Sequence, residues 1–144
     1  MILDKKLFDS SECESIINFV NSKEMVVDIG SIFTRKILTL TKENSPKWIW
    51  DKLKSFTDDL DLNIETLNDR IFIVKFNTGD FIEKHTDVWD SDLSRNRIYT
   101  LVSQLSNDSD YIGGDTFVYS GTDKVKLNKE IGSCIVFNSS MVHE

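Results

Sequence analysis

Residues 70–87, RIFIVKFNTGDFIEKHTD, decide how this sequence folds. They contain two short runs rich in β-branched and aromatic residues, separated by the turn-forming stretch NTGD. Similar short runs continue to residue 144, with turns between them and no helical period. Strands at such spacing, without intervening helices, predict antiparallel sheets arranged as a sandwich, a jelly roll or a barrel.

Two helices are predicted before this β-rich part. The first lies in residues 7–22, where Ser11 and Glu14 have capping-box spacing and apolar residues recur at helical intervals, namely Cys13, Ile16, Ile17 and Val20. The second begins near Ser45 and Pro46, and its inward side chains are Ile49, Leu53, Phe56 and Leu60. Between the helices, MVVDIG and SIFTRKILTL predict two strands. We therefore expect helices packed outside a β-rich core.

Composition indicates an ordinary globular domain. The 144 residues suffice for one hydrophobic core, so we expect a single domain over residues 1–144, in which residues 1–68 support a core formed by residues 69–144. Hydrophobic residues make up 40% of the chain and charged residues 28%, which disfavours a disordered protein. The net charge of −7 disfavours nucleic acid as a partner, because phosphate binding needs clustered lysine and arginine.

Neither a membrane segment nor a disulfide framework is expected. No apolar run reaches the length of a membrane span, and the start MILDKKLFDS lacks the features of a signal peptide. The two cysteines, Cys13 and Cys134, lie far apart and have no CxxC partner, so we expect buried free thiols. These features predict a cytoplasmic protein that does not bind a membrane.

Three potential metal ligands lie at two distant points of the chain. If residues 81–87 are extended, His85 and Asp87 point to the same face, because side chains alternate along a strand. His143 is the second of only two histidines and follows another strand-like run. Two histidines and one carboxylate form the facial triad that holds non-haem Fe(II) and leaves positions open for a co-substrate and O₂. An HxD triplet alone is common, so histidines without a metal remain the alternative at this point.

Four motifs resemble those of a known oxygenase family. From Arg70 onwards, the chain is similar to the double-stranded β-helix core of the prolyl 4-hydroxylase-like Fe(II)/2-oxoglutarate oxygenases. The likeness rests on RIYTLVSQLS (97–106), GGDT (113–116), GSCIVFNSSMVH (132–143) and an aromatic–glycine–aromatic–HxD run formed by Phe76, Gly79, Phe81, His85 and Asp87. Residues 105–115 are especially similar to the bacterial and phage branch, and residues 7–20 resemble the first helix of these enzymes. The resemblance implies an α+β, mainly β fold, with a double-stranded β-helix (jelly-roll) core and N-terminal helices packed outside.

The resemblance also implies a set of site residues. The Fe(II) ligands of the family correspond to His85, Asp87 and His143. Positions that line the 2-oxoglutarate pocket correspond to Phe76, Gln104 and Thr116, and relatives often have Tyr in place of Phe76. Two further expectations are a tight turn with positive φ at Gly113 and Gly114, and a lid formed by residues 85–96 that includes Trp89.

The implied activity is that of a dioxygenase. It uses Fe(II), O₂ and 2-oxoglutarate, with ascorbate as a reductant, to hydroxylate a C–H bond with release of succinate and CO₂. The implied substrate is a prolyl or other amino-acid side chain, carried by a peptide, a protein or a free amino acid.

Two departures from the family pattern bear on catalysis. Phe76 lacks the hydroxyl that a Tyr offers to the co-substrate. The family also places an Arg or Lys beyond the last histidine, where it pairs with the far carboxylate of 2-oxoglutarate, whereas this sequence ends at Glu144. A buried dicarboxylate needs such a cation, and no evident substitute precedes His143.

The position of His143 leaves the last core strand of the family without a counterpart. A sheet edge is then uncovered, and one ligand lies on a chain end prone to fraying. Three explanations stay open: a shortened chain or gene fragment of an enzyme, which we favour, a partner chain that completes the sheet edge, or a degenerate protein without catalysis.

Other functions fit parts of the same pattern. The main alternative is a non-catalytic metal-binding or interaction module on the same scaffold, without the basic anchor for 2-oxoglutarate. A cupin-like barrel with another metal is disfavoured because cupin sites draw on more histidines than two. Nucleic-acid demethylation is disfavoured by the acidic charge balance.

Overall fold

The computed structural model describes residues 1–60, 62, 69–88 and 96–144. In chain order these residues form β1 (Ile2–Lys6), α1 (Ser10–Asn21), β2 (Val26–Ile29), β3 (Phe33–Leu40), α2 (Lys47–Asp59), β4 (Ile71–Lys75), β5 (Phe81–Ile82), β6 (Tyr99–Ser103), a 3₁₀ turn (Asp108–Asp110), β7 (Phe117–Ser120), β8 (Asp123–Lys126) and β9 (Ser133–Asn138). The fold is mainly β, with two α-helices and antiparallel sheets, as the sequence predicted. Trp89 and most of the expected lid lie outside the described residues.

The strands pair into three groups. The first sheet has the order β1–β9–β6, the second has the order β2–β3–β4 with β5 also paired to β3, and β7 pairs with β8. All of these pairs are antiparallel. β9 is the central strand of the first sheet, and its residues 133–137 are all buried.

β9 separates two apolar clusters because its side chains alternate between two faces. Cys134 and Val136 belong to a cluster that includes Ile16 of α1 and Ile49 of α2. Ile135 and Phe137 belong to a second cluster, which they form with Val118 and Leu127. The helices therefore cover one face of the first sheet, and its other face is left for the second cluster and for the site that adjoins it.

The N-cap of α1 is Asp9, and the predicted capping box of Ser11 and Glu14 is wrong. Asp9 Oδ1 accepts the N–H of Glu12 (2.7 Å), and Glu12 Oε1 accepts the N–H of Asp9 (3.1 Å). Ser11 instead donates its hydroxyl to Asp9 (2.8 Å). The box forms two residues earlier because an ionised Asp both accepts the orphan N–H and complements the positive end of the helix dipole.

The predicted apolar faces of the helices are largely confirmed. The buried residues of α1 are Cys13, Ile16 and Val20. In α2, Ile49 is buried, and Leu53, Phe56 and Leu60 pack in the same cluster. Trp50 is also buried, and its indole N–H donates to the Ser45 hydroxyl (2.9 Å). No described helix combines the length and apolar character needed to cross a bilayer.

The NTGD turn does not reverse the chain. β4 pairs with β3 from Ile71 opposite Leu40 onwards, and β5 continues along the same strand, with Phe81 opposite Thr34. The turn loops out between them and is closed by hydrogen bonds between Asn77 and Asp80 (2.7 and 2.9 Å). β5 therefore carries the chain onward in the direction of β4, towards His85.

β1 is a strand that the sequence analysis did not predict. It pairs with β9 from Ile2 opposite Phe137 to Lys6 opposite Ser133, and β6 covers the other side of β9. Within the described ranges, β6 has no second strand neighbour. β1 likewise pairs only with β9 there, so both edges of the first sheet are without a further strand in the described residues.

Candidate metal centre

The three predicted metal ligands come together in the fold. The ligating atoms of His85, Asp87 and His143 all lie within 4.8 Å of one another. His85 Nε2 is 3.5 Å from Asp87 Oδ1, and His143 Nε2 is 3.6 Å from Asp87 Oδ2. The two imidazole side chains are only 9% and 8% exposed, and the carboxylate is 19% exposed. Two imidazoles and one carboxylate therefore face a shared and partly desolvated point.

Backbone pairing holds the two histidines side by side. The N–H of each histidine donates to the carbonyl of the other, at 2.9 Å in both directions. On its other side His143 is bridged to Val118, and Glu144 exchanges backbone hydrogen bonds with Phe117 (2.9 and 3.0 Å). Residues 142–144 thus lie between residue 85 and β7, and this pairing on both sides opposes the fraying expected of His143.

The second nitrogen of each ring determines the tautomer. His85 Nδ1 lies 2.7 Å from the carbonyl oxygen of Glu83, and His143 Nδ1 lies 3.0 Å from that of Met141. A carbonyl oxygen only accepts hydrogen bonds, so each Nδ1 carries the proton of its ring. When the rings are neutral, both Nε2 atoms direct a lone pair towards the carboxylate of Asp87.

A positive charge between the three groups satisfies this arrangement of lone pairs. Burial acts to raise the pKa of Asp87, but the interactions with His143 and His85, when these rings are protonated, and the hydrogen bond from Thr100 outweigh it and hold that pKa far below its usual range. The hydrogen bond with Asp87 raises the pKa of His85 against the opposing effect of burial. A proton on one imidazole supplies part of this positive charge. The distances from the two Nε2 atoms to the carboxylate, 3.5 and 3.6 Å, are nevertheless long for charge-assisted hydrogen bonds.

A divalent metal ion fits the three groups together. The three groups lie within 4.8 Å of one another, and the two separations of 3.5 Å from His85 Nε2 to Oδ1 and 3.6 Å from His143 Nε2 to Oδ2 end on different oxygens of Asp87. Neighbouring ligands about 2.1 Å from an octahedral ion lie roughly 3 Å apart, so ligation draws the three groups closer together. Two neutral imidazoles and a carboxylate are the donor set of non-haem Fe(II) sites. The residues present therefore suit Fe(II) in their chemistry.

Two hydroxyl residues that the sequence analysis did not single out lie beside Asp87. Thr100, on β6, donates to Asp87 Oδ2 (2.7 Å), and the hydroxyl of Ser139 lies 3.0 Å from that of Thr100. The carbonyl of Ser139 also accepts the N–H of Asp87 (2.9 Å). Strand alternation could have identified Thr100, because it shares a strand face with Gln104. No signal in the sequence distinguishes Ser139.

The three predicted co-substrate residues differ in their surroundings. Gln104 follows β6 and Thr116 precedes β7; both are half-buried. Gln104 is four positions after Thr100, and Thr116 is two positions before Val118. Strand alternation, continued one residue past β6 and one residue ahead of β7, predicts that both point to the side of the site. Phe76 follows β4 and is 49% exposed, so its ring is not enclosed with the ligands. The positive φ expected at the glycine turn is confirmed, at 80° for Gly113 and 61° for Gly114.

A lysine lies near Gln104, where the sequence showed no evident cation. The hydroxyl of Tyr111 donates to Gln104 Oε1 (3.4 Å), and Lys129 Nζ lies 4.3 Å from the centre of the Tyr111 ring. Lys129 Nζ is also 3.3 Å from Asp115 Oδ1, while Lys126 Nζ contacts the other oxygen of Asp115 at 2.8 Å. The Lys129 side chain is only 18% exposed, against 54% for Lys126.

Comparison with known proteins identifies the fold. No family model and no curated protein matches the sequence. Among solved structures, a prolyl-4-hydroxylase from Pseudomonas putida matches with a TM-score of 0.77 and 16% identity, over 99% of this chain and 82% of that chain. A prolyl hydroxylase from Trichoplax adhaerens, in complex with a hypoxia inducible factor oxygen degradation domain peptide, matches with a TM-score of 0.75 and 16% identity, over 99% and 75%. The chain thus has a prolyl-hydroxylase-like fold, which confirms the resemblance seen in the sequence motifs, and it carries a His-Asp-His triad.

Proposed function

We propose that this protein is an Fe(II)- and 2-oxoglutarate-dependent dioxygenase that hydroxylates a C–H bond of an amino-acid side chain, built as one domain around a double-stranded β-helix. The observation that carries the proposal is the convergence of His85, Asp87 and His143, with both Nε2 lone pairs and an ionised carboxylate directed at one point. The likeness of fold to two prolyl hydroxylases supports the same reaction class.

The residues of the chain have separate tasks in this proposal. His85, Asp87 and His143 hold Fe(II), and the carbonyl oxygens of Glu83 and Met141 keep each ring in the tautomer that can bind it. Fe(II), when bound with 2-oxoglutarate and O₂, supplies the oxidant for C–H hydroxylation and leaves succinate and CO₂ as products. The low exposure of the three side chains limits access of water to the site.

Gln104, Thr116 and Lys129 are proposed to hold 2-oxoglutarate. Lys129 is a half-buried cation that donates to the Gly113 carbonyl (2.7 Å) and contacts Asp115 (3.3 Å). It can turn away from Asp115 without leaving that carboxylate alone, because Lys126 remains its partner, and the exposed turn leaves the Gly113 carbonyl open to water. A dicarboxylate in a partly buried site needs such a charge. Lys129→Met should therefore weaken 2-oxoglutarate binding about tenfold or more, the loss expected for one charged hydrogen bond, with Fe(II) affinity retained. Lys126→Met is the matched control, and equal losses in the two variants exclude this role for Lys129.

An exposed apolar surface beside the ligands supports a peptide or amino-acid substrate. Two exposed apolar residues, Ile29 on β2 and Phe81 on β5, flank Thr34 of β3, and Phe81 lies four positions before His85. Ile29 is 71% exposed and Phe81 is 44% exposed. Exposed apolar side chains grouped on one face are typical of binding surfaces. The Trichoplax adhaerens neighbour was solved with a peptide bound.

The proposal is tested by turnover and by metal binding together. Purified protein is incubated with Fe(II), 2-oxoglutarate, ascorbate and air, and succinate is measured, while Fe(II) stoichiometry and the 2-oxoglutarate-dependent change in its absorption spectrum are recorded without air. We expect succinate from the natural chain, and neither bound iron nor succinate from His85→Ala or Asp87→Ala. Iron retained in both variants shows that the triad is misassigned.

The alternative is a metal-binding or interaction module without catalysis. It is favoured if the natural chain binds Fe(II) stoichiometrically and forms no succinate. Tight zinc binding, with no 2-oxoglutarate-dependent change in the Fe(II) spectrum, favours a cupin-like site instead. Negligible DNA binding at any salt concentration closes the nucleic-acid alternative, which the net charge of −7 already disfavours.

The outer edge of β6 supports a further part of the proposal, a strand contributed by a partner chain. Residues 99–103 are half-buried, and in the described part of the chain their hydrogen-bonding edge away from β9 carries no strand. Unpaired edges of this kind are templates for strand addition. Light scattering across a range of protein concentrations checks whether a second copy supplies the strand, and a monomer throughout excludes self-pairing.

A further inference from the structure

A chain of hydroxyl groups reaches the metal centre from the β6–β9 pair. Ser139 contacts Asp87 directly through its carbonyl, which accepts the N–H of Asp87. Its hydroxyl contacts Thr100, which in turn donates to Asp87 Oδ2. Ser139 is completely buried, and its own N–H donates to the carbonyl of Ile98 (2.9 Å). Water therefore does not compete for the Ser139 hydroxyl.

The direction of each hydrogen bond in this chain follows from the charge of Asp87. An ionised carboxylate only accepts, so the single hydroxyl proton of Thr100 is donated to Asp87 Oδ2 (2.7 Å). Thr100 Oγ1 then accepts the proton of Ser139 (3.0 Å). Linked bonds that end on a charge strengthen one another, so the pair holds the carboxylate more firmly than a single hydroxyl does.

We propose that Thr100, supported by Ser139, is a positioning residue that makes Asp87 a one-oxygen metal ligand. Thr100 donates to Oδ2, the oxygen nearer to His143 Nε2 (3.6 Å), and this hydrogen bond weakens Oδ2 as a metal ligand relative to Oδ1, which lies 3.5 Å from His85 Nε2. A carboxylate that binds through both oxygens takes an additional coordination position, and the proposed reaction needs the open positions for 2-oxoglutarate and O₂. Thr100 thereby sets how many positions remain open. This inference rests on the metal centre of the proposed function.

Thr100→Val tests the proposal, because valine has nearly the same shape and lacks the donor. Co(II) added to metal-free protein is the probe, since its visible absorption spectrum reports coordination number without any turnover. We expect the spectrum of Thr100→Val to indicate a higher coordination number than that of the natural chain. The concentration of 2-oxoglutarate that perturbs the spectrum should rise about tenfold or more, as is typical when a partner of a metal ligand is removed.

Two control variants separate positioning from general disturbance. Thr100→Ser keeps the donor and should retain the natural spectrum. Thr86→Val removes a hydroxyl that lies between the ligands in sequence but contacts the carbonyl of Val88 (3.4 Å) instead of Asp87, and it should leave both readouts unchanged. A natural spectrum and natural 2-oxoglutarate response in Thr100→Val overturn the proposal. Failure of the natural chain itself to bind Co(II) overturns the metal centre, and this inference with it.

A double-mutant cycle tests the part played by Ser139. Ser139→Ala keeps the backbone carbonyl that accepts from Asp87 and removes only the hydroxyl, so it should raise the 2-oxoglutarate concentration that perturbs the Co(II) spectrum, by less than Thr100→Val does. Because Ser139 acts through Thr100, adding Ser139→Ala to Thr100→Val should raise this concentration no further. Additive increases in the double variant, with all variants shown by urea unfolding to be folded, refute the support of Thr100 by Ser139.

Discussion

Gly132 should be far less tolerant of substitution than Gly121, although both have positive φ, 79° and 61°. A Cβ at residue 132 meets the carbonyl oxygen of Phe8 at 1.8 Å and its carbonyl carbon at 2.8 Å, whereas a Cβ at residue 121 meets nothing within 4 Å. The carbonyl of Gly132 also accepts the N–H groups of Leu7 (2.9 Å) and Phe8 (3.2 Å). To make room for this Cβ, the junction between β1 and α1 must therefore move away from the start of β9.

The expected losses follow from these contacts. Left-handed backbone costs alanine about 1–2 kcal/mol at either position. At residue 132, the two hydrogen bonds to its carbonyl are weakened as well, at about 1 kcal/mol each. We expect Gly132→Ala to lower the free energy of unfolding by about 3–4 kcal/mol and Gly121→Ala by about 1–2 kcal/mol, out of a total of roughly 5–15 kcal/mol for a domain.

Urea unfolding followed by circular dichroism measures both losses, provided that the dependence on urea concentration is the same in all three proteins. A difference of about 2 kcal/mol between the variants supports the close approach of residue 132 to the Phe8 carbonyl. Equal losses contradict it, because the φ penalty is then the whole effect.

Three further predictions concern the site and the thiols. Asp87→Asn should abolish the gain in unfolding free energy that metal binding gives, which is about 2.7 kcal/mol at a hundredfold excess over Kd. The stability of the metal-free variant should stay within about 1 kcal/mol of the natural chain, because the amide can donate to an Nε2 lone pair. Urea unfolding with and without Co(II) tests this, and a gain that survives in the variant contradicts it. Co(II) affinity should increase as the pH rises through the elevated pKa of His85, because a proton competes with the metal for Nε2; titrations at several pH values test this, and a flat profile contradicts ligation by imidazole. Burial raises the pKa of Cys134 to about 12 and also raises that of Cys13. Because the thiolate is the reactive form, iodoacetamide should label both cysteines only after unfolding. Rapid labelling of the folded protein would contradict this.

Much of the local structure could be predicted from the sequence because its causes are local. The apolar interval of α1 places Cys13, Ile16 and Val20 on one buried face, and paired glycines at residues 113 and 114 permit the positive φ that their turn adopts. The cap of α1 shows the limit of such patterns. The sequence predicted a box of Ser11 and Glu14, whereas the helix is capped by Asp9 with Glu12.

Pairing between distant strands could not be predicted from local pattern. Residues 2–6 become a strand only because β9 offers them an edge, and β5 runs on from β4 because β3 is long enough to pair with both. Such choices depend on which edges the rest of the chain leaves open, and no short stretch carries that information.

The candidate site likewise combines features that the sequence predicts with features that depend on tertiary contacts. The sequence by itself determined the candidate ligand set, because residue type and alternation predict that His85 and Asp87 lie together, and His143 is the sole other histidine. Only the tertiary structure decided which ring nitrogen faces the metal position, which hydroxyls hold Asp87 and which lysine lies near Gln104. These are contacts between segments far apart in the chain, and their geometry exists only once the sheets have packed.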